Sequence, residues 1–417
     1  MSVPQSVTLQ MSMHIGAPAV PCVKVGDEVK VGQLVGEPGA GLSSPVYASV
    51  SGKVKKIDEL VALNGSHVQT VVIESDGKQT VSEDICPPAV DTREEFLTAV
   101  KNSGIVGLGG AGFPTYVKLS ADASRINAIV VNGAECEPYI TSDTRTMIDD
   151  AEDVMYGIKL LMKHLKVKRV IIGIEKNKKA CISSMKRACA PVEGVRVKVL
   201  PSIYPQGGEK VLVYHTLGRT IKEGELPLDC GVVVINCTTV AAIARYIKTG
   251  MPLVEKCITV DGSAVASPMN VIAPIGTPAS DIFAFCGGFR QDPVKVLLGG
   301  PMMGVPLSDI NAPITKQTNA LLAFDKREAR IPKPSACIRC GKCEAACPFS
   351  LSPCDIGAAM RADDMALLET LKVNVCMECG CCSYVCPAKK DIVQNNKLAK
   401  VKLRNYQIKK KEEAKNG

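Results

Sequence analysis

Two cysteine runs with the same spacing, Cys337-x2-Cys340-x2-Cys343-x3-Cys347-Pro348 and Cys376-x2-Cys379-x2-Cys382-x3-Cys386-Pro387, constrain this chain more than any other feature. Each iron of a [4Fe–4S] cluster takes one thiolate, and a compact loop with two-residue gaps brings three thiolates to one cube. The fourth comes from elsewhere, and in two-cluster ferredoxins it is the cysteine before the proline of the other run. The spacing therefore predicts one cluster on Cys337, Cys340, Cys343 and Cys386, and a second on Cys376, Cys379, Cys382 and Cys347. Two zinc sites or a disulfide framework are the alternatives. Zinc needs one tetrahedral set per site and supplies no reason for a repeated Cys-Pro ending.

At 417 residues the chain is too long for one ordinary core, so several domains are expected. With no Trp and 4% aromatic residues it lacks the rings for a base-stacking platform, and nucleic acid is not an expected partner. The opening MSVPQSVTLQ carries neither basic charge nor an apolar run, so no secretory signal is expected. Cluster-type cysteines, and eleven more without framework spacing, fit a reducing compartment. No stretch reaches the roughly 20 mostly apolar residues of a membrane span. The nearest, Cys230 to Ala244, contains Asn236, Thr238 and Thr239 and reads as a strand followed by a helix. The net charge is +8, and most of it lies after Pro387, where ten Lys and Arg stand against Asp391, Glu412 and Glu413. Such a basic tail suits an acidic partner or an anionic surface, or is simply solvated.

Along the chain the apolar period changes. Residues 14 to 80 alternate short β-rich runs with turn signals, which predicts a small all-β unit over 1–88. At Thr92 and Glu95 a capping box opens a helix carrying Phe96, Leu97 and Val100 on one face. Strands then alternate with helices: Ile126–Val131, Val170–Ile174, Val195–Leu200 and Val232–Ile235, the last followed by a helix from Thr239 to Ile247. This predicts a parallel sheet covered on both faces, a doubly wound α/β domain over 89–252. Residues 253–329 return to β signals with one short helix, an α+β unit. Residues 330–390 form the cluster domain, with Asp355 to Leu371 read as one helix, and 391–417 the basic tail.

Gly107-Leu-Gly109-Gly110-Ala-Gly112-Phe113 contains the letters GxGxxG, but it follows a helix, so the dinucleotide fingerprint fails on context. Glycine-rich backbone still cradles phosphate through its N–H groups, and Lys118 adds a nearby positive charge. A structural tight turn is the plainer reading. The histidines, His14, His67, His164 and His215, are scattered and read as surface or packing residues.

The words VKVGDEVKVGQLVGE and SPVYASVSGKVKKI resemble the barrel-sandwich fold of lipoyl and biotinyl carriers, although the hairpin stretch from Glu37 to Pro45 lacks the attachment lysine. GLGGAGFPTYVK, with Asn132-Gly-Ala-Glu135-Cys-Glu137-Pro138 and Tyr204-Pro-Gln-Gly207-Gly208-Glu209, resembles the flavin- and NADH-binding subunit of respiratory complex I. The whole arrangement, from HIGAP at His14 to the second cysteine run, is similar to the C-subunit family of the Rnf complexes, membrane-bound ferredoxin:NAD+ oxidoreductases. The likeness covers nearly the full chain. It implies an N-terminal barrel-sandwich, a Rossmann-like flavin domain, a β-grasp-like domain of the soluble-ligand-binding type and a helical two-cluster ferredoxin domain.

The same resemblance implies that Gly107, Gly109, Gly110, Gly112, Lys118, Asn132, Glu135, Tyr204, Gly207, Gly208, Asn236 and Thr238 contact FMN, with Phe113, Lys118 and Glu209 positioning NAD(H). The cofactor carries the hydride chemistry, so no catalytic side chain is expected. The partners implied are iron–sulfur and membrane-embedded flavin subunits of an ion-translocating complex on the cytoplasmic face of the membrane, with ferredoxin reached indirectly. Two departures from the pattern are Ala134, an aspartate in complex I, and a GGxHP segment that family members usually carry and this sequence does not show. Soluble relatives such as a cobalamin reductase or a proline-reductase-associated electron-transfer protein share the modules, and an iron–sulfur wire without flavin is a reading of another class. Cys381 and Cys354 read as packed thiols that tune the clusters.

The crossed pairing of the cysteine runs makes a sharp expectation. Cys347→Ser should damage the cluster of Cys376, Cys379 and Cys382, read by paramagnetic resonance and iron content. Loss of the Cys337, Cys340 and Cys343 cluster instead would refute the crossing.

Overall fold

The structure, a computed structural model, describes residues 1–62 and 65–416, the side chains of 415 and 416 excepted. Residues 63 and 64 of the expected β module, and Gly417 at the end of the expected tail, lie outside the described residues.

Alternation builds the first unit. Ser6–Gln10, His67–Ser75 and Gly52–Val61 pair antiparallel, with Glu28–Val29 at the edge. Val7, Leu9, Val54, Val71 and Ile73 lie in the core, the period of two that a half-buried strand requires. A second sheet of Val20–Pro21, Leu34–Glu37 and Val46–Tyr47 adds Val35 and Val46 to that core.

The central unit holds a wholly parallel sheet, in spatial order Val195–Leu200, Val170–Glu175, Ala128–Gly133, Val232–Asn236. Helices Arg93–Asn102, Ser142–Asp149, Ala151–Leu165, Lys179–Cys189 and Cys237–Thr249 share one core with it, and Glu209–Leu217 covers Val130, Val232 and Val234 from the other side. The chain steps outward from Ala128–Gly133 through two strands, then returns to lay Val232–Asn236 on the opposite flank. That reversal opens a crevice at the carboxyl ends of Ala128–Gly133 and Val232–Asn236, the place where open α/β sheets take ligands. The capping box at Thr92 and Glu95 is formed.

The third unit is a five-stranded mixed sheet, ordered Met269–Pro274, Glu255–Asp261, Ala320–Phe324, Lys295–Leu298, Val305–Pro306, packed on the helix Ala279–Phe285. The C-terminal unit is helical. The single helix read over Asp355 to Leu371 is in fact two, Pro353–Arg361 and Met365–Thr370. Asp364 takes the N-cap of the second, accepting from the Leu367 N–H at 2.9 Å, because a short acidic side chain competes with helix continuation. The basic tail is helical over Ile392–Asn416, and its Ile392, Asn396, Ala399 and Leu403 are buried against the cluster unit. Lys400 donates to the Cys376 carbonyl at 3.0 Å and pairs with Glu378, so this part of the tail is packed rather than freely solvated.

Lys316 joins three units. Its Nζ is buried and donates to the carbonyls of Pro45 at 2.6 Å and Gly104 at 2.7 Å, with Ser44 Oγ at 3.4 Å. Three acceptors match the three N–H bonds of an ammonium, yet burial pushes Lys316 down to about 7 from an ordinary 10.5. Between these values the unfolded chain holds more protons than the folded one, so this group's contribution to stability rises with pH across that window. The melting difference between wild type and Lys316→Met should therefore shift toward wild type as pH climbs from about 7 to about 10. A difference independent of pH would show that Lys316 does not titrate in the fold.

Candidate functional site

The glycine loop spans the crevice. Its base closes where the Gly107 N–H donates to the Phe113 carbonyl at 2.9 Å, and Leu108 N–H donates to Thr239 Oγ1 at 3.0 Å. Gly109 rests on Asn236 so closely that a Cβ there would collide with Nδ2; glycine is the residue that allows this approach. Gly109, Gly110 and Ala111 are exposed. Among the described residues the N–H groups of Gly109, Gly110, Ala111 and Gly112 have no protein acceptor.

Asn236 does two further things. Its Oδ1 caps the helix Cys237–Thr249 through the Thr239 N–H at 3.2 Å, and its Nδ2 donates to Asp143 at 2.7 Å. Thr238 Oγ1 donates to the other Asp143 oxygen at 2.6 Å. Burial first, and the charge of Glu135 second, push Asp143 up to about 6.

At the neighbouring strand end, Asn132 Nδ2 donates to the Gly207 carbonyl at 2.9 Å, tying the NGAECEP turn to the YPQGGE turn. Gly207 N–H in turn donates to Cys136 Sγ at 3.4 Å. Lys118 Nζ reaches the Val234 carbonyl at 2.9 Å and Glu209 at 3.0 Å, an ion pair that stays half-exposed.

Not every expected residue faces the crevice. The Glu135 carboxylate is turned inward, accepting from the N–H groups of Asp143 at 2.8 Å and Thr144 at 3.2 Å and from Thr144 Oγ1 at 2.5 Å, and pairing with Lys178 at 3.1 Å. It caps the helix Ser142–Asp149, and its two oxygens are fully engaged. Tyr204 is turned toward the cysteine unit, its hydroxyl donating to the Cys379 carbonyl at 2.8 Å. Gly208 lies against Met377, where a Cβ would come within 2.5 Å of the methyl.

The cysteines gather around two cavities. Cys337, Cys340, Cys343 and Cys386 line one, together with Cys354, whose Sγ is 3.5 Å from that of Cys343. Cys347, Cys376, Cys379 and Cys382 line the other, with Cys381. Among the described residues no group of His, Cys, Asp and Glu is arranged around a single metal ion. Cys337 and Cys340 are exposed, whereas Cys379, Cys381 and Cys382 are buried toward the central unit. Sequence reading missed Lys256, Lys316, Lys178 and Asp143, whose partners lie in distant segments.

Residues 1–78 match the RnfC Barrel sandwich hybrid domain, 100–245 the Nuo51 FMN-binding domain and 257–306 the SLBB domain. The chain is 45% identical to the C subunit of a Na(+)-translocating ferredoxin:NAD(+) oxidoreductase complex from Acetobacterium woodii, over 85% of this chain and 81% of that one. It is 42% identical to the C subunit of a proton-translocating ferredoxin:NAD(+) oxidoreductase complex from Clostridium ljungdahlii, over 84% and 78%. The C subunit of an ion-translocating oxidoreductase complex from Rhodobacter capsulatus is 38% identical, over 88% and 72%. Among solved structures, NAD+-reducing [NiFe]-hydrogenase in the air-oxidized state superimposes with a TM-score of 0.52 at 20% identity, over 67% of this chain and 55% of that one. The chain thus spans little more than half of that structure, and the likeness is one of fold.

Glu135→Ala would leave the Lys178 ammonium with Thr144 Oγ1 but without its carboxylate, and two helix N–H groups uncapped. Removing one partner of a buried pair costs about 3 kcal/mol, so denaturant unfolding of the central unit should move by about that much. A change within the few tenths typical of exposed sites would show that the cap is dispensable.

Proposed function

This chain belongs to the family of Rnf-complex C subunits, and we propose that it exchanges electrons between NAD(H) and the rest of a ferredoxin:NAD+ oxidoreductase through FMN and two [4Fe–4S] clusters. FMN, when bound, takes a hydride and passes electrons on singly, and each cluster carries one. The observation that carries the reading is the seam between Tyr204–Gly208 and Cys376–Cys381, where a hydrogen bond of 2.8 Å and the packing of Met377 set the second cysteine cavity directly behind the crevice.

The residues of the crevice fit FMN. Four adjacent N–H groups over Gly109–Gly112, free of protein acceptors among the described residues, suit its phosphate. Asn132, Asn236 and Thr238 stand at the strand ends, and the paired Lys118 and Glu209 sit at the mouth, where with Phe113 they would orient the nicotinamide. Glu135 acts here by holding the helix Ser142–Asp149 and Asp143 in place, which sets Asn236.

The two cavities fit the crossed ligand sets, Cys376, Cys379, Cys382 and Cys347 inside, Cys337, Cys340, Cys343 and Cys386 outside. The buried set would exchange electrons with the flavin, and the exposed rim of Cys337 and Cys340 with an iron–sulfur or membrane flavin protein of the complex. In this reading 1–88 and 253–329 frame the loop, 89–252 carries FMN and NAD(H), and 330–390 carries the clusters. No helix of the described residues is long and apolar enough to cross a membrane, which suits a peripheral subunit docked at the cytoplasmic face.

Anaerobic reconstituted protein should show flavin and cluster absorbance that NADH bleaches. Gly109→Val pushes a side chain into Asn236, and FMN affinity should fall at least about 100-fold, about 2.7 kcal/mol, with iron content kept. Its clusters should then respond to dithionite and not to NADH. Equal flavin content in variant and parent would overturn the site.

A further inference from the structure

Four carbonyls of the glycine loop and the turn before it are held by donors from other units. Gly104 O accepts from Lys316 Nζ at 2.7 Å, Leu108 O from Lys256 Nζ at 2.7 Å, Ala111 O from Gln317 Nε2 at 3.3 Å, and Gly112 O from the Ile15 N–H at 3.1 Å. Ile15 lies in the barrel-sandwich unit, the other three in the five-stranded unit. A trans peptide points its N–H opposite to its C=O. Drawing the Leu108 carbonyl back to Lys256 therefore turns the N–H of the exposed Gly109 away from Lys256, and holding the Ala111 carbonyl at Gln317 turns the Gly112 N–H away from Gln317.

We propose that Lys256, from the five-stranded unit, is the positioning residue of the phosphate-binding loop: it orients the Leu108–Gly109 peptide so that its N–H meets the anionic end of the ligand, with Gln317 doing the same for the Ala111–Gly112 peptide. Lys256 is 4% exposed. Burial lowers it to about 8, and the charge of Asp143 works against that fall. A buried ammonium behind the loop also adds a positive charge on the side facing away from water, where screening is weak. The barrel-sandwich unit, which lacks a carrier lysine in its hairpin, thereby has a structural part in the site through Ile15.

This inference rests on the FMN reading above, and riboflavin separates the two, because it carries the same ring without the phosphate. The full-length flavin-free protein is titrated with FMN and with riboflavin, in wild type, Lys256→Met and Gln317→Ala. Wild type should prefer FMN. Lys256→Met should weaken FMN at least about tenfold while leaving riboflavin within about twofold, and Gln317→Ala, half-exposed and away from the core, should lose part of the same preference. Deuterium uptake at Gly107 and Leu108, whose N–H groups are bonded to the Phe113 carbonyl and Thr239 Oγ1, should rise in both variants before any ligand is added. Equal losses for FMN and riboflavin, or unchanged FMN binding in both variants, would overturn the positioning role. If Lys256→Met does not fold, Gln317→Ala decides on the same ratio. Wild-type protein that binds neither flavin would overturn the flavin site itself and this inference with it.

Discussion

Backbone carbonyls buried where three units meet must find donors, since an unpaired one costs as much as a lost hydrogen bond. In this molecule lysine supplies them. Lys316 and Lys256, among the most deeply buried charged residues, spend their ammonium hydrogens on carbonyls of residues 45, 104 and 108. Desolvating an ammonium is costly, and apolar contact alone would join the units without fixing their angle. Directed hydrogen bonds fix it. The shape of the glycine loop therefore depends on how its neighbours dock.

A second buried network stands under the other side of the crevice. Glu135, Lys178 and the N-terminus of Ser142–Asp149 hold Asp143, and Asp143 holds Asn236 and Thr238. Asn236 is shared: it caps its own helix, supports Gly109 and answers Asp143. Networks of this sort are rigid when every member is satisfied. The crevice is thus preorganised from two directions, by lysines behind the loop and by acids beneath it.

The cysteine unit adds direction. Its buried cavity abuts Tyr204 and Gly208, while Cys337 and Cys340 of the other cavity face outward. The helix Ile392–Asn416 braces the inner cavity, Asn396 reaching Cys376 Sγ at 3.7 Å and Lys400 its carbonyl at 3.0 Å. Part of the tail's charge is accordingly spent inside the unit.

Local patterns in the sequence were enough to determine what local physics reads: the period-two runs of the barrel-sandwich, the alternation of strands and helices, the capping box at Thr92, the glycine loop and the repeated spacing of the cysteines. Glu135 could be named from its motif, yet only the fold decided that it faces inward, because its partners sit on the helix Ser142–Asp149 and at Lys178. The break at Asp364 and the docking of the tail were likewise decided by packing against neighbours. Lys256 and Lys316 were illegible for a plain reason. A lysine in a sequence reads as surface charge, and their acceptors lie 148 and 212 residues away, brought within 2.7 Å only when the units close around the loop.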